Sequence, residues 1–244
     1  DAHVDDAGAL WLVPRGRVWR VTPKGAQLLH REAGETATRR STLDPVRGRL
    51  CTPWTERLVC TDAQGRVRAT AALPSEACGN AVFDGQGRLL LPCGRHLYLQ
   101  DADGSALRRV AVLEPLDGIV ALQQIAVDSR GAVWVAERQG LRVLDPDTGA
   151  SRLLVATRTK GLLAANDGRY VLMGDNQHGM WLAANGQGVM RASLRPPLFR
   201  HWAPPPGDDG QPVNSHVRAL WRDDAKPADD WTLWFSTFDK TNWR

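Results

Sequence analysis

The residues of this chain best suited to recognition chemistry sit in short polar breaks between apolar runs. The breaks hold Arg15, then Trp54-Thr55-Glu56-Arg57, Gly94-Arg95-His96, Glu137-Arg138-Gln139, Asn185-Gly186-Gln187 and Phe238-Asp239-Lys240. Four of these six breaks contain an arginine. Converging guanidinium groups present forked donors that suit a carboxylate or a phosphate. Trp54, read as exposed, could stack on a sugar ring or an aromatic group. Glu56, His96, Glu137, Asn185 and Asp239 complete the candidate ligand-binding set. Any one of these side chains alone reads as ordinary solvated loop charge, since polar residues are mostly exposed anyway. The candidate site is the set, not a member.

Catalytic constellations are thin. The chain has no Gly-x-Ser-x-Gly, no His-Glu-x-x-His and no phosphate loop. Its histidines, His3, His30, His96, His178, His201 and His216, are scattered. No CxxC spacing and no histidine pair suggests a metal, and no cofactor is implied. Asp5, Asp84 and Asp128 each lie a few residues ahead of a glycine, which is turn chemistry, so they are poor candidates for an acid and base.

The elements that would carry the breaks form a repeat. An acidic residue is followed by glycine, then an apolar or tryptophan run, a tight break and a second apolar run. The clearest copy runs from Asp128 and Gly131 through Trp134 to Gly140, Leu141, Val143 and Asp145. The others start at Asp5, Asp44, Asp84, Asp175 and Asp223. Taking Trp134 as the anchor, the equivalent positions are Trp11, Cys51, Leu90, Trp181 and Trp234, about 40 to 53 residues apart. That period, with several short strands per unit, predicts an all-β fold of the β-propeller type. The anchor run need not alternate if it is buried on both faces. Ahead of several anchors lies a further apolar run, as at 81–83, 124–127 and 217–221. Outer strands are expected at 151–155 and 198–202. The repeated tryptophans are expected to pack between adjacent blades. In that architecture the polar breaks ring the central channel, where loops carry function on a rigid scaffold.

Six units are readable. The first is expected to lack its leading strand and the last its outer one. Either the two ends complete one blade, giving six or seven blades in all, or the chain is an open part of a larger array. The expectation is one domain over residues 1–244. The Pro-rich stretch 203–212 interrupts the spacing and reads as an extended loop.

Composition adds limits. A chain of 244 residues suffices for one substantial domain. Its net charge of +4 is spread over many loops without a basic run, so nucleic acid is not implied. No stretch has the length of a transmembrane helix and no signal peptide is seen.

The four cysteines suggest a compartment. Folding the third repeat about Asp84–Gly87 sets Cys78 opposite Cys93, and folding the second about Thr55-Glu56 sets Cys51 opposite Cys60. Directly opposed residues on antiparallel strands lie at disulfide distance. The expected pairs are therefore Cys51–Cys60 and Cys78–Cys93, marks of an oxidising compartment such as the periplasm. Four buried free thiols are the alternative.

The copies resemble the two-component regulator propeller repeats. Their unit has a small polar lead, Val, an apolar residue, Asp-Gly, Leu-Trp, a small-residue strand, and then Gly-Leu. Matching stretches run from Asn214, Ser215 and Val217 through Leu220 and Asp223 to Leu233-Trp234 and Thr237. Others run from Val127-Asp128 through Gly131 and Trp134 to Gly140-Leu141, and from Gly179 and Trp181 to Gly188-Val189. Cys51 and Leu90 depart from the pattern, and so does the last copy, which inserts residues before Asp230-Trp231. The resemblance implies a non-catalytic, ligand-sensing input domain of a bacterial hybrid histidine kinase or diguanylate cyclase. It would be periplasmic, in a parent anchored in the inner membrane, and would recognise a small molecule of carbohydrate or acidic type. A homodimer through the propeller is compatible with this reading. The alternatives are a propeller-type hydrolase or lyase acting on carbohydrate, and a protein-interaction platform.

Overall fold

A computed structural model describes residues 2–14, 16–32, 41–44, 46–75, 77–113, 125–137, 140–154, 170–175, 179–184, 188–194, 199–202, 217–222, 233–237 and 242–243, the last four stretches as backbone. Among them are strands and turns and no helix. Two compact units divide the chain, Asp1–Leu113 and Glu114–Arg244.

The first unit contains three antiparallel sheets, each of four strands in sequence order. Sheet one is β1 (Ala2–Val4), β2 (Leu10–Leu12), β3 (Arg17–Thr22) and β4 (Gly25–Arg31). Sheet two is β5 (Thr42–Asp44), β6 (Arg49–Pro53), β7 (Arg57–Asp62) and β8 (Val67–Ala72). Sheet three is β9 (Val82–Phe83), β10 (Leu89–Cys93), β11 (His96–Gln100) and β12 (Arg108–Val112). The second unit repeats the plan. Sheet four is β13 (Ile125–Val127), β14 (Val133–Glu137), β15 (Gly140–Leu144) and β16 (Ser151–Leu154). Sheet five is β17 (Tyr170–Gly174), β18 (Gly179–Ala184), β19 (Gly188–Ser193) and β20 (Phe199–Trp202). Sheet six is β21 (Val217–Arg222), β22 (Leu233–Thr237) and β23 (Asn242–Trp243). Successive four-stranded meanders are the blades of a β-propeller.

All six anchors, Trp11, Cys51, Leu90, Trp134, Trp181 and Trp234, fall on the second strand of their sheet. The first unit departs from expectation by having a leading strand, because Ala2–Val4 pairs with β2. The apolar runs do not alternate because they are covered on both sides: β6, β10 and β14 are buried at every residue. The outer strand β8 does alternate, having one face to water.

Sheets stack through shared apolar layers. Between sheets one and two lie Trp11, Val18, Leu29, Leu50, Trp54 and Val59. Between sheets four and five lie Trp134, Leu141, Leu154, Met180, Leu182 and Met190. The leading strands approach closely there: a Cβ on Gly174 would stand 2.8 Å from the Val127 carbonyl oxygen, which only glycine avoids.

Sheets two and three share a layer that includes all four cysteines. Both expected disulfides are present, Cys51–Cys60 and Cys78–Cys93, with Cα separations of 4.0 and 3.8 Å. Each joins a non-hydrogen-bonded pair of opposed residues, the closer kind in an antiparallel ladder. The hairpin register of sheet two is as read from sequence. In sheet three it is so only at the cysteines: next to the turn, Phe83 faces Leu89 and Val82 faces Leu90, one residue out of step with Cys78 facing Cys93.

Candidate functional site

In sheets one to five a carboxylate sets the turn after the leading strand. The Oδ1 of Asp128 accepts the backbone N–H groups of Arg130 and Ala132, at 2.9 and 3.1 Å. Gly131, at φ 84°, supplies the left-handed residue that closes the turn. Asp5 and Asp84 do the same for the N–H groups two and four residues on. The device recurs between the third and fourth strands of sheet two, where Asp62 accepts from Gln64 and Arg66.

The second carboxylate oxygen ties the turn to the sheet. Asp5 and Asp128 accept the indole N–H of the tryptophan six residues on, Trp11 at 2.9 Å and Trp134 at 3.0 Å. Arginine serves the same purpose, beside a tryptophan anchor as Arg20 on Asp5 at 3.0 Å and Arg191 on Asp175 at 2.7 Å, and in place of one in sheets two and three. Asp44 pairs with Arg49 at 3.0 Å in sheet two, and Asp84 pairs with Arg88 at 2.7 Å in sheet three. Burial raises the Asp5 pKa, but hydrogen bonds from Trp11, the Ala9 N–H and Arg20 outweigh it and hold the carboxyl below its ordinary value. Asp62 is likewise pushed up by burial and pulled down further by the Arg66 N–H, the Arg68 guanidinium, the Gln64 N–H and the Arg66 guanidinium, to about 2. These acids are committed to the fold by their turn amides and capping donors.

The expected ligand set lies at the opposite end of the sheets, at the turns between second and third strands. Trp54 is not exposed; it is 1 % accessible, turned under its hairpin into the layer with Trp11 and Val18, its ring 6.2 Å from that of His30. The expected stacking platform is therefore part of the core. Glu56 and Arg95 are exposed, and their carbonyls accept the N–H groups of Leu73 and Leu113. Arg57 donates to Glu32, whose other oxygen meets His30 Nε2 at 2.9 Å. Burial raises the Glu32 pKa and these two partners more than reverse it. His96 meets the edge of Tyr98 at 6.2 Å. In the second unit Glu137 is buried and accepts from Arg142 at 2.8 Å. Arg15, Arg138, Asn185 and Asp239 lie outside the described residues. The geometry thus joins Arg57 to Glu32 and His30, which the sequence reading did not select.

Arginines do converge, at the other end of sheet two. Arg66 and Arg68 donate from Nε to Asp62 at 2.9 and 2.6 Å. Arg47 and Arg49 reach the carbonyls of Gln86 and Gly87 on the neighbouring sheet. An open cavity of about 490 Å³ lies among them. Of these four, only Arg49 had a signal in the sequence, an arginine five residues after the turn aspartate of a unit whose anchor is not tryptophan.

Neither the protein-family models nor the curated proteins yield a match to this chain. Solved structures do. Virginiamycin B lyase from Staphylococcus aureus, in a catalytically inactive form with quinupristin, aligns over 99% of this chain and 78% of its own, with TM-score 0.72 and 12% identity. The extracellular domain of the hybrid two-component system BT4673 from B. thetaiotaomicron aligns over 97% of this chain and 33% of its own, with TM-score 0.65 and 17% identity. That of BT3049 from the same organism aligns over 99% and 32%, with TM-score 0.66 and 12% identity. The chain spans about a third of the length of those two extracellular domains. The fold is a β-propeller of five to six blades, and its structural neighbours include extracellular domains of hybrid two-component systems, as the repeat resemblance leads one to expect. The two disulfides mark an extracytoplasmic chain.

Proposed function

We propose that this chain is a periplasmic input domain of a bacterial signal-transduction receptor, which recognises a small molecule without breaking bonds in it. The carrying observation is how its carboxylates are used. Asp5, Asp44, Asp62, Asp84, Asp128 and Asp175 hold turns and are capped by indole or guanidinium donors. Acids whose oxygens are taken by turn amides and capping donors face into the fold rather than toward a substrate, whereas exposed donors at the sheet ends suit recognition. The repeat pattern and the likeness to extracellular two-component domains support the same reading.

In this proposal residues 1–244 act as one propeller domain, joined in the parent to a membrane span and a kinase or cyclase output. Ligand contacts come from the turns between second and third strands, with Glu56, Arg57, Arg95 and His96 as the described members. The test is made in the full-length parent. Deleting residues 1–244 should abolish ligand-dependent output while leaving the output domain expressed and membrane-bound. A parent without an output domain, or an unchanged response, would overturn the proposal.

A second reading rests on the virginiamycin B lyase likeness, which extends over most of that enzyme's length. A lyase or hydrolase would release product from a carbohydrate panel at a rate proportional to protein. Stoichiometric binding without product favours the sensor.

A further inference from the structure

We propose that the cavity at the turn end of sheet two binds a tetrahedral oxyanion, phosphate or sulfate, free or as an ester on a small organic molecule. Its lining is Arg47, Arg49, Asp62, Gln64, Arg66 and Arg68 with short backbone stretches between them.

The charge balance comes first. Four guanidinium groups surround the space, and the carboxylates against them are Asp62 and, behind Arg49, Asp44. Asp62 is saturated: Oδ1 takes two backbone N–H groups and Oδ2 takes both Arg66 and Arg68. It orients the two arginines while neutralising at most one. The site therefore keeps a net positive charge.

The donors left over are next. Arg68 makes its contact through Nε, which leaves its terminal nitrogens without a partner among the described residues. Arg66 spends one terminal nitrogen on the Gln64 side chain. Arg47 spends one on the Gln86 and Gly87 carbonyls. Arg49 is almost wholly buried and fixed by Asp44, Gly87 and Ala102. Donors held in place before binding lose little freedom on meeting an anion, which favours affinity.

Direction then selects the anion. The four side chains reach the cavity from the turn before β6, from β6 itself, from the turn after β7, and from β8. A carboxylate offers two oxygens in one plane, whereas phosphate or sulfate offers oxygens pointing four ways. A volume of about 490 Å³ lies within the usual range of small-molecule sites, so there is room for an organic group on the anion.

Glycine at 87 belongs to the same construction. Its φ is 74°, and a Cβ there would collide with the Arg47 guanidinium that crosses it.

The experiment is calorimetric titration of the full chain at constant ionic strength. The probes are sodium phosphate, sulfate and acetate, followed by glucose 6-phosphate, glucose 6-sulfate and glucuronate. Phosphate and sulfate should bind at one site and acetate should not. The esters separate a free ion from a carried one: tighter binding than the bare ions assigns the site to an ester, equal binding to the ion. Removing two charged donors, Arg47→Gln with Arg68→Gln, should weaken binding roughly ten-fold or more, while Arg152→Gln, on the exposed outer strand of sheet four, should change nothing. Arg68→Lys keeps the charge and a partner for Asp62 and should give an intermediate loss, a readout that survives if the double variant does not fold. Acetate binding as well as sulfate does, or wild-type affinity in both Arg68 variants, would overturn the proposal. Signalling does not enter the measurement, so its failure and that of the sensor reading are separate results.

Discussion

Sheet four holds its turn aspartate with tryptophan, sheets two and three hold theirs with arginine, and sheet one uses both, Trp11 and Arg20. In both kinds the aspartate Oδ1 takes two turn amides, those two and four residues on at Asp128 and Asp84 and those two and three residues on at Asp44. The indole has a single N–H, so Trp134 satisfies Asp128 and ends the network inside the sheet. A guanidinium has five, so Arg49 satisfies Asp44 and still reaches the carbonyls of Gly87 and Ala102. Trp134 closes its blade on itself, and Arg49 laces sheet two to sheet three while staying buried. In sheet two the anchor position is itself a disulfide cysteine, and both disulfides pack in one layer with Leu58, Leu89 and Leu91.

The sharpest way to break this comparison is to remove the acid from each kind of anchor. Asp44→Ala strands the buried Arg49 charge and should cost about 3–5 kcal/mol. Asp128→Ala leaves a neutral indole N–H and turn amides and should cost about 1–3 kcal/mol. Urea midpoints for the two variants would decide, and equal losses would erase the distinction. Next in size, replacing Cys51 and Cys60 together by alanine should cost about 2–4 kcal/mol. A reductant should reproduce the loss in wild type and have a smaller effect on the variant. Smaller still, Trp134→Phe keeps the packing and removes the N–H to Asp128, for about 1 kcal/mol in thermal unfolding.

The smallest effect is one of pH. Asp62 is pulled from 3.8 to about 2 in the folded chain. A carboxyl depressed on folding stabilises the native state above its unfolded pKa, and that stabilisation fades as pH falls toward the folded one. Between pH 4 and 2 wild type should therefore lose stability more steeply than Asp62→Asn, in urea titrations at each pH. Parallel curves would mean that Asp62 is not held by its two arginines as described.

Much of the fold was legible because its determinants are local. An aspartate and a glycine three residues on specify their own turn, and an apolar run of five specifies a covered strand. The cysteine pairs could be read because each lies within one hairpin. Trp54 was misread because its place in a turn was taken for exposure, whereas the chain there bends back over sheet one. Arg57 seemed free because Glu32 is 25 residues away and in another sheet. The arginine cluster was invisible for a similar reason: it is assembled from two turns of one sheet and from carbonyls of the next.

The disulfides have a consequence for how the chain matures. Four cysteines can pair in three ways. Here each is joined to the cysteine next in sequence, closing separations of 9 and 15 residues. Short loops close at the least entropic cost, and both crossed pairings need longer ones. A chain emerging N-terminus first presents Cys60 to Cys51 before Cys78 appears, and once that pair has closed, Cys93 is the one free thiol left for Cys78.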